Sequence, residues 1–301
     1  MIVAMNVAAI TPLFAPSGRL STFHEFKRQF KSLGIPLYVA ELSYNGVFES
    51  HGLGIKERAD ERNIMWQKEA LLNALVDKLP AHYDAIALID CDIIWPNSKW
   101  IEEGKKKLKK ANAVQLFEKI LYYNKQGSIS HTNEGWVAHK HRHSPGGAWL
   151  VRREMFPLID YMIVGGGDRV MTCAWSGTPL LRTEGFENNW YFMMKLNEDM
   201  NKQYKKCQNK IDYVDTPCFH LFHGDVLSRY YQNRLNCIGD YWFNPDKDIT
   251  HEDGILAWTR NADPKLRKFV KNYFNKRNEP VDISQYIQDG QGGFSVTQVD
   301  S

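Results

Sequence analysis

Two aspartates one residue apart, Asp90 and Asp92, close an apolar run from Ala85 to Ile89. An unbroken apolar run reads as a strand buried on both faces. On extended chain, positions i and i+2 point to the same side. Two carboxylates facing one way repel unless a cation or a donor lies between them. The pair reads either as a site for a divalent cation or as an acidic strand cap. Further residues fit ligand chemistry: Asn63, Lys68 and Asn73 on or beside one helical stretch, Gly146 and Gly147 in GGA, Asp168 closing GGGD, and His220 and His223 in HLFHGD.

Each has a bland reading beside the chemical one. Asn73 can bond its neighbours and Lys68 can snorkel. Gly146 and Gly147 let backbone approach a ligand, or form a tight turn. Asp168 can accept a proton or cap the helix RVMTCAW. For both histidines the bland reading is a satisfied strand residue, and for His220 that reading is preferred. Arg169, Arg229 and Arg234 can meet phosphate or make structural ion pairs. The histidines between 131 and 143 have spacing that suits no standard metal site.

These residues need elements to hold them. The apolar start reads as a first buried strand ending at Thr11-Pro12; it lacks a basic lead and is too short to span a bilayer. No other segment reaches membrane length. A helix over STFHEFKRQFKSLG and a strand over IPLYVAEL follow, then a loop over 43–62. Residues 63–79 read as an amphipathic helix with Ile64, Leu71, Leu72, Leu75 and Leu79 buried. Helices alternating with strands imply an α/β fold with a mainly parallel sheet, whose ligand sites lie at strand C-termini. A Lys-rich helix begins at Trp100, AVQLF is a strand, and 122–145 reads as a long loop. GGAWLV and CFHLFH are strands, 195–211 is a polar segment, and 229–235 continues helically. A basic helix covers 263–278; residues 1–279 are expected to form one domain, with a loosely held tail at 280–301.

Composition narrows the class. The 301 residues carry a formal charge of +3, which permits a polyanionic partner without demanding one. Five scattered cysteines without a CxxC pair argue against a zinc site or a disulfide framework and fit a reducing cytoplasm. Aromatics at 13% suit a protein that lines grooves with rings, or one with a large core.

In order along the chain, RNIMWQKEALLN (62–73), DCD (90–92), GGA with GGGD, and HLFHGD (220–225) resemble the GT-A fold glycosyltransferases. The group with a galactosyltransferase-like Gly-Gly-Asp/Glu element after Asp-x-Asp is the nearest pattern. The resemblance spans roughly residues 1–245. It implies a Rossmann-like nucleotide-binding fold and metal-dependent, inverting transfer of a hexose from a UDP-sugar, with glucose the first candidate. It implies Mn2+ or Mg2+ held by Asp92, with Asp90 shared between metal and ribose and His223 completing the site. Asn63, Lys68, Asn73, Gly146 and Gly147 would bind the donor, and Asp168 would be the catalytic base.

The chain also resembles the bacteriophage DNA glucosyltransferases and the base J glucosyltransferase group. That implies a hydroxymethylated pyrimidine in DNA as acceptor, with the Lys-rich 105–110 stretch and the basic 265–277 helix meeting phosphates. The alternatives are a saccharide, lipid-linked or protein acceptor, and a non-catalytic sugar- or nucleotide-binding module.

Overall fold

The computed structural model describes residues 5–14, 20–31, 33–139, 143–180, 185–224 and 234–276. Strand β1 is Val7–Phe14, helix α1 Leu20–Phe30 and β2 Leu37–Ser43. β1 runs past its expected end, with Pro12 inside it opposite Ala40. Pairing to the next strand inward stops at Ile10, so Pro12 lies where that edge carries no ladder, a position that tolerates proline.

The expected loop over 43–62 holds a strand, β3 (Leu53–Arg58), parallel to β2 at the sheet edge. Its mostly exposed residues give no apolar alternation to read. A 3-10 turn over Glu61–Asn63, capped by Asp60, then delays the next helix, so α2 spans Lys68–Lys78 and begins later than its periodicity indicated. Strand β4 is Ala85–Ile89, β5 Ile93–Ile94, helix α3 Lys99–Leu108 and β6 Ala113–Gln115.

The expected loop from 122 is largely a hairpin, β7 (Lys119–Tyr123) and β8 (Ile129–Glu134). β8 reads ISHTNE and is largely exposed, so it too lacked an apolar signal. Next come β9 (Ala148–Arg152), helix α4 (Gly167–Ser176) and helix α5 (Trp190–Cys207), where a polar segment was expected. β10 is Ile211–Tyr213, β11 Pro217–His220, α6 Cys237–Asp240 and α7 Pro245–Asp248. A hairpin of β12 (Ile249–Glu252) and β13 (Ile255–Trp258) precedes α8 (Pro264–Lys276). The helical reading at 229–233 and the tail at 280–301 lie outside the described residues.

The central sheet has seven strands in the order β10-β6-β9-β4-β1-β2-β3. All neighbours are parallel except β9, which is antiparallel to both β4 and β6. The protein is therefore α/β with a mainly parallel sheet flanked by helices. Alternation along β1 divides the core: Ala8 and Ile10 face α2, while Val7, Ala9 and Leu13 face α1. A four-stranded sheet, β5-β11-β7-β8, adjoins the C-terminal end of β4. No helix among the described residues is long and apolar enough to cross a membrane.

Candidate active site

The expected strand geometry at Asp90 and Asp92 does not hold. β4 stops at Ile89 and the chain turns over residues 90–92 before β5 begins. The Ile93 amide donates to the Asp90 carbonyl (3.1 Å) and the Asp90 amide to the Gly147 carbonyl (2.8 Å). The turn sends the two carboxylates to different partners, so one cation is not shared between them by extended-chain geometry.

Asp92 is almost fully buried and faces the end of β11. The Leu221 amide donates to the Asp92 carbonyl (2.8 Å), and Ile93 pairs with His220 across β5 and β11. This brings His223 Nε2 to 2.9 Å and His220 Nε2 to 3.8 Å from Asp92 Oδ2. The ligand-capable atoms of Asp92, His220 and His223 all lie within 4.8 Å of one another. One carboxylate and two imidazoles form a mixed oxygen and nitrogen donor set, which suits a transition-metal dication such as Mn2+ better than Mg2+. His220, the second choice as ligand after His223 and preferred as a strand histidine, joins the group as well as ending its strand.

Asp90 turns instead toward α2. Lys68 Nζ lies 2.6 Å from Asp90 Oδ1 and 2.7 Å from Asp168 Oδ1. Lys68 is buried at the start of α2, so it does not snorkel to solvent. Its burial alone would lower its pKa, but the Asp168 and Asp90 charges outweigh that and raise it, keeping the ammonium charged. Desolvation raises Asp90, Lys68 opposes, and the Asp168 and Asp92 charges add to the rise, leaving Asp90 at about 6.

The glycines make this approach possible. A Cβ at Gly146 would lie 2.5 Å from Asp168 Oδ2. Gly147 has φ +96, a conformation L side chains avoid, and its carbonyl holds the Asp90 amide. Gly166, not Asp168, is the N-cap residue of α4, and Asp168 stands in the first turn without capping it. Its side chain remains 36% exposed, so a ligand can reach it.

Glu69 was not singled out from the sequence. It is buried, and neither carboxylate oxygen finds a hydrogen-bond partner at ordinary geometry among the described residues. A Cβ at Gly167 would lie 2.3 Å from Glu69 Oε1, so the acid packs on the first residue of α4. The signal was present: Met65, Leu72 and Val76 put position 69 on a buried apolar stripe. Burial first, then the Asp168 charge, pushes Glu69 up to about 8, with Lys68 opposing.

Two expected donor-binding residues are used elsewhere. Asn63 Nδ2 donates to the Leu256 carbonyl (3.0 Å) and its Oδ1 accepts from the Asp60 amide (2.9 Å). Asn73 Nδ2 donates to the Leu158 carbonyl (3.0 Å) and Asp160 Oδ2 (3.1 Å), and its Oδ1 accepts from the Leu158 amide (2.7 Å). Both amides stitch remote backbone to the α2 region. Arg234 donates to the Tyr273 hydroxyl (3.1 Å); Arg229 lies outside the described residues.

No family model matches the chain, and no curated protein matches it. Among solved structures, the catalytic domain of Drosophila beta1,4-galactosyltransferase 7 with xylobiose is similar at 16% identity, covering 56% of this chain and 60% of that one, TM-score 0.32. The chain thus spans less than two thirds of that structure. Glucosyl-3-phosphoglycerate synthase from Mycobacterium tuberculosis, bound to Mn2+, UDP and glucosyl-3-phosphoglycerate, is similar at 9% identity, covering 79% and 78%, TM-score 0.46. The 4-diphosphocytidyl-2C-methyl-D-erythritol synthase of Anaerococcus prevotii is similar at 7% identity, covering 90% and 99%, TM-score 0.35.

The Glu69 environment has a measurable consequence. Its folded pKa of about 8 lies above the ordinary 4.5, so between those values the folded state holds a proton that the unfolded chain has released. Stability contributed this way falls as pH rises through that window. The groups facing it, Asp168, Lys68 and Asp90, are unchanged in Glu69→Gln. The melting temperature of the wild type is expected to fall more than that of Glu69→Gln between about pH 5 and about pH 8. Parallel pH profiles in differential scanning calorimetry would contradict this assignment.

Proposed function

We propose that this chain is a metal-dependent, inverting hexosyltransferase of GT-A type, acting from a UDP-sugar, glucose foremost, on an acceptor hydroxyl. One catalytic domain, residues 1–279, would carry it. The observation that carries the reading is the meeting of two groups beyond the end of β4. One is the cation-capable cluster of Asp92, His220 and His223. The other is Asp168, tied with Asp90 to Lys68.

Departure of a nucleoside diphosphate develops negative charge. Asp92, His220 and His223 would hold a divalent cation, which would supply Lewis-acid stabilisation of that leaving group. Asp168 accepts the proton of the acceptor hydroxyl as its oxygen attacks the anomeric carbon. Lys68 occupies Oδ1 of Asp168, which leaves Oδ2, on the Gly146 side, as the proton-accepting atom. Asp90 orients Lys68 and stands next to the cation cluster, where it can meet a ribose hydroxyl.

For the acceptor we retain a hydroxymethylated pyrimidine in DNA. Lys106, Lys109 and Lys110 at the C-terminal end of α3 are exposed, as phosphate contacts require. Lys105 and Lys107 pair with Glu102 and Asp212, and Lys271 on α8 with Glu61, so those lysines contribute less. Salt-sensitive binding to duplex DNA is the check, and its absence at low salt would turn the reading toward a saccharide, lipid-linked or protein hydroxyl.

The chemistry itself is tested by UDP release from UDP-sugars in the presence of Mn2+. Asp92→Ala is expected to abolish release; unchanged turnover in that variant would refute the cation assignment. Sugar-nucleotide binding with no transfer or hydrolysis under any condition would indicate a binding module. Gly146→Ala tests the placement of Asp168. The added methyl collides with the movable Asp168 carboxylate at 2.5 Å. Turnover is expected to drop about 100-fold while the melting temperature stays near wild type. Wild-type turnover in Gly146→Ala would show that Asp168 is not the base.

A further inference from the structure

The rings around His220 form a row across three strands. His220 on β11 is opposite Tyr122 on β7, and Tyr122 is opposite His131 on β8. Cross-strand partners on one face are close enough for their rings to touch. The Tyr122 and His131 rings stack at 4.4 Å with 5° between planes. Tyr122 meets His220 at 4.7 Å and 33°, and His220 meets His223 at 5.0 Å and 31°. The row therefore runs from the buried end of the cation cluster to the exposed strand β8.

Its outer end is locked. Ser130 Oγ donates its one proton to the Tyr122 carbonyl (3.0 Å). The 2.9 Å contact between Ser130 Oγ and His131 Nδ1 then requires His131 to carry its proton on Nδ1 and donate to the hydroxyl. That hydrogen bond fixes the His131 ring flat against Tyr122. At the inner end, His220 Nε2 is 3.8 Å from Asp92 Oδ2, and the Tyr122 ring lies against the imidazole. A terminal ring torsion is intrinsically broad. The Tyr122 ring supplies a surface that narrows it.

We propose that Tyr122, backed by His131, is a positioning residue that holds the His220 imidazole in the orientation a cation requires. It does not touch the cation or substrate. The inference rests on the cation cluster described under the proposed function. It also gives the hairpin of β7 and β8 a role, since β8 otherwise contributes an exposed edge with no core residue.

The test is Mn2+ affinity of the full chain, read from loss of the free-Mn2+ electron paramagnetic resonance signal, with the melting temperature followed in parallel. Tyr122→Leu is expected to weaken Mn2+ binding about 10-fold or more, the usual cost of losing support behind a metal ligand. Tyr122→Phe keeps the ring and is expected to bind as the wild type does. His131→Ala changes an exposed side chain and is expected to weaken binding by a smaller factor without lowering the melting temperature. Should Tyr122→Leu fail to fold, His131→Ala and Tyr122→Phe decide the matter. Wild-type affinity in both Tyr122→Leu and His131→Ala, with binding lost in His223→Ala, would overturn the positioning role and leave the cation site standing. A melting temperature lowered in Tyr122→Leu with affinity unchanged would mark the stack as structural and also overturn it. Wild-type affinity in His223→Ala would place the failure with the cation cluster itself, and the positioning role would fall with it.

Discussion

The site depends on one buried ammonium. Lys68, at the first turn of α2, lies between the turn after β4 and the first turn of α4, with a carboxylate from each at 2.6 and 2.7 Å. Burying a charge is costly unless it is paired and hydrogen-bonded. Lys68 meets that condition only if both acids reach it, so its presence dictates where Asp90 and Asp168 must stand. The glycines follow from the same demand. Gly146 leaves room for Asp168, Gly147 turns its carbonyl onto the Asp90 amide, and Gly167 leaves room for Glu69. Removing the ammonium would leave three acids close together with no cation among them.

Around this ion pair the charges are divided by the chain turn at residues 90–92. Asp90 belongs to Lys68, and Asp92 belongs to His220, which ends β11, and His223 just beyond it. A single strand bearing both carboxylates would have placed them in one unresolved repulsion. The turn instead makes two adjoining sites, one suited to a cation and one to a proton. Glu69 adds a third acid behind them, whose pKa burial raises well above the ordinary carboxylate value.

Much of the fold was legible because its inner strands are apolar on both faces and its helices are striped. β1, β4 and β9 and helices α2, α3 and α8 were all visible in this way. β3 and β8 were not, because edge strands exposed to water carry no burial pattern. Asp90, Asp92, Asp168, Lys68 and His223 stood out in the sequence by type and order; their pairings, Lys68 with Asp90 and Asp168 and His223 with Asp92, did not. Extended-chain geometry at Asp90 and Asp92 failed because a tight turn intervenes, and turn formation there depends on the remote Gly147 carbonyl. Nothing local to Asn63 and Asn73 shows that their amides will bond the Leu256 and Leu158 backbone. Tyr122 gained meaning only from His220, far along the chain.

The central claim is that a cation on the Asp92 cluster and the nucleoside diphosphate bind as one unit. Isothermal titration of UDP into the chain addresses it directly, with Mn2+ present and again after chelation. The account predicts UDP binding with Mn2+ and its loss on chelation. Equal affinity for UDP in the two conditions would contradict it, because the diphosphate would then be held without the cation that the cluster is built to carry.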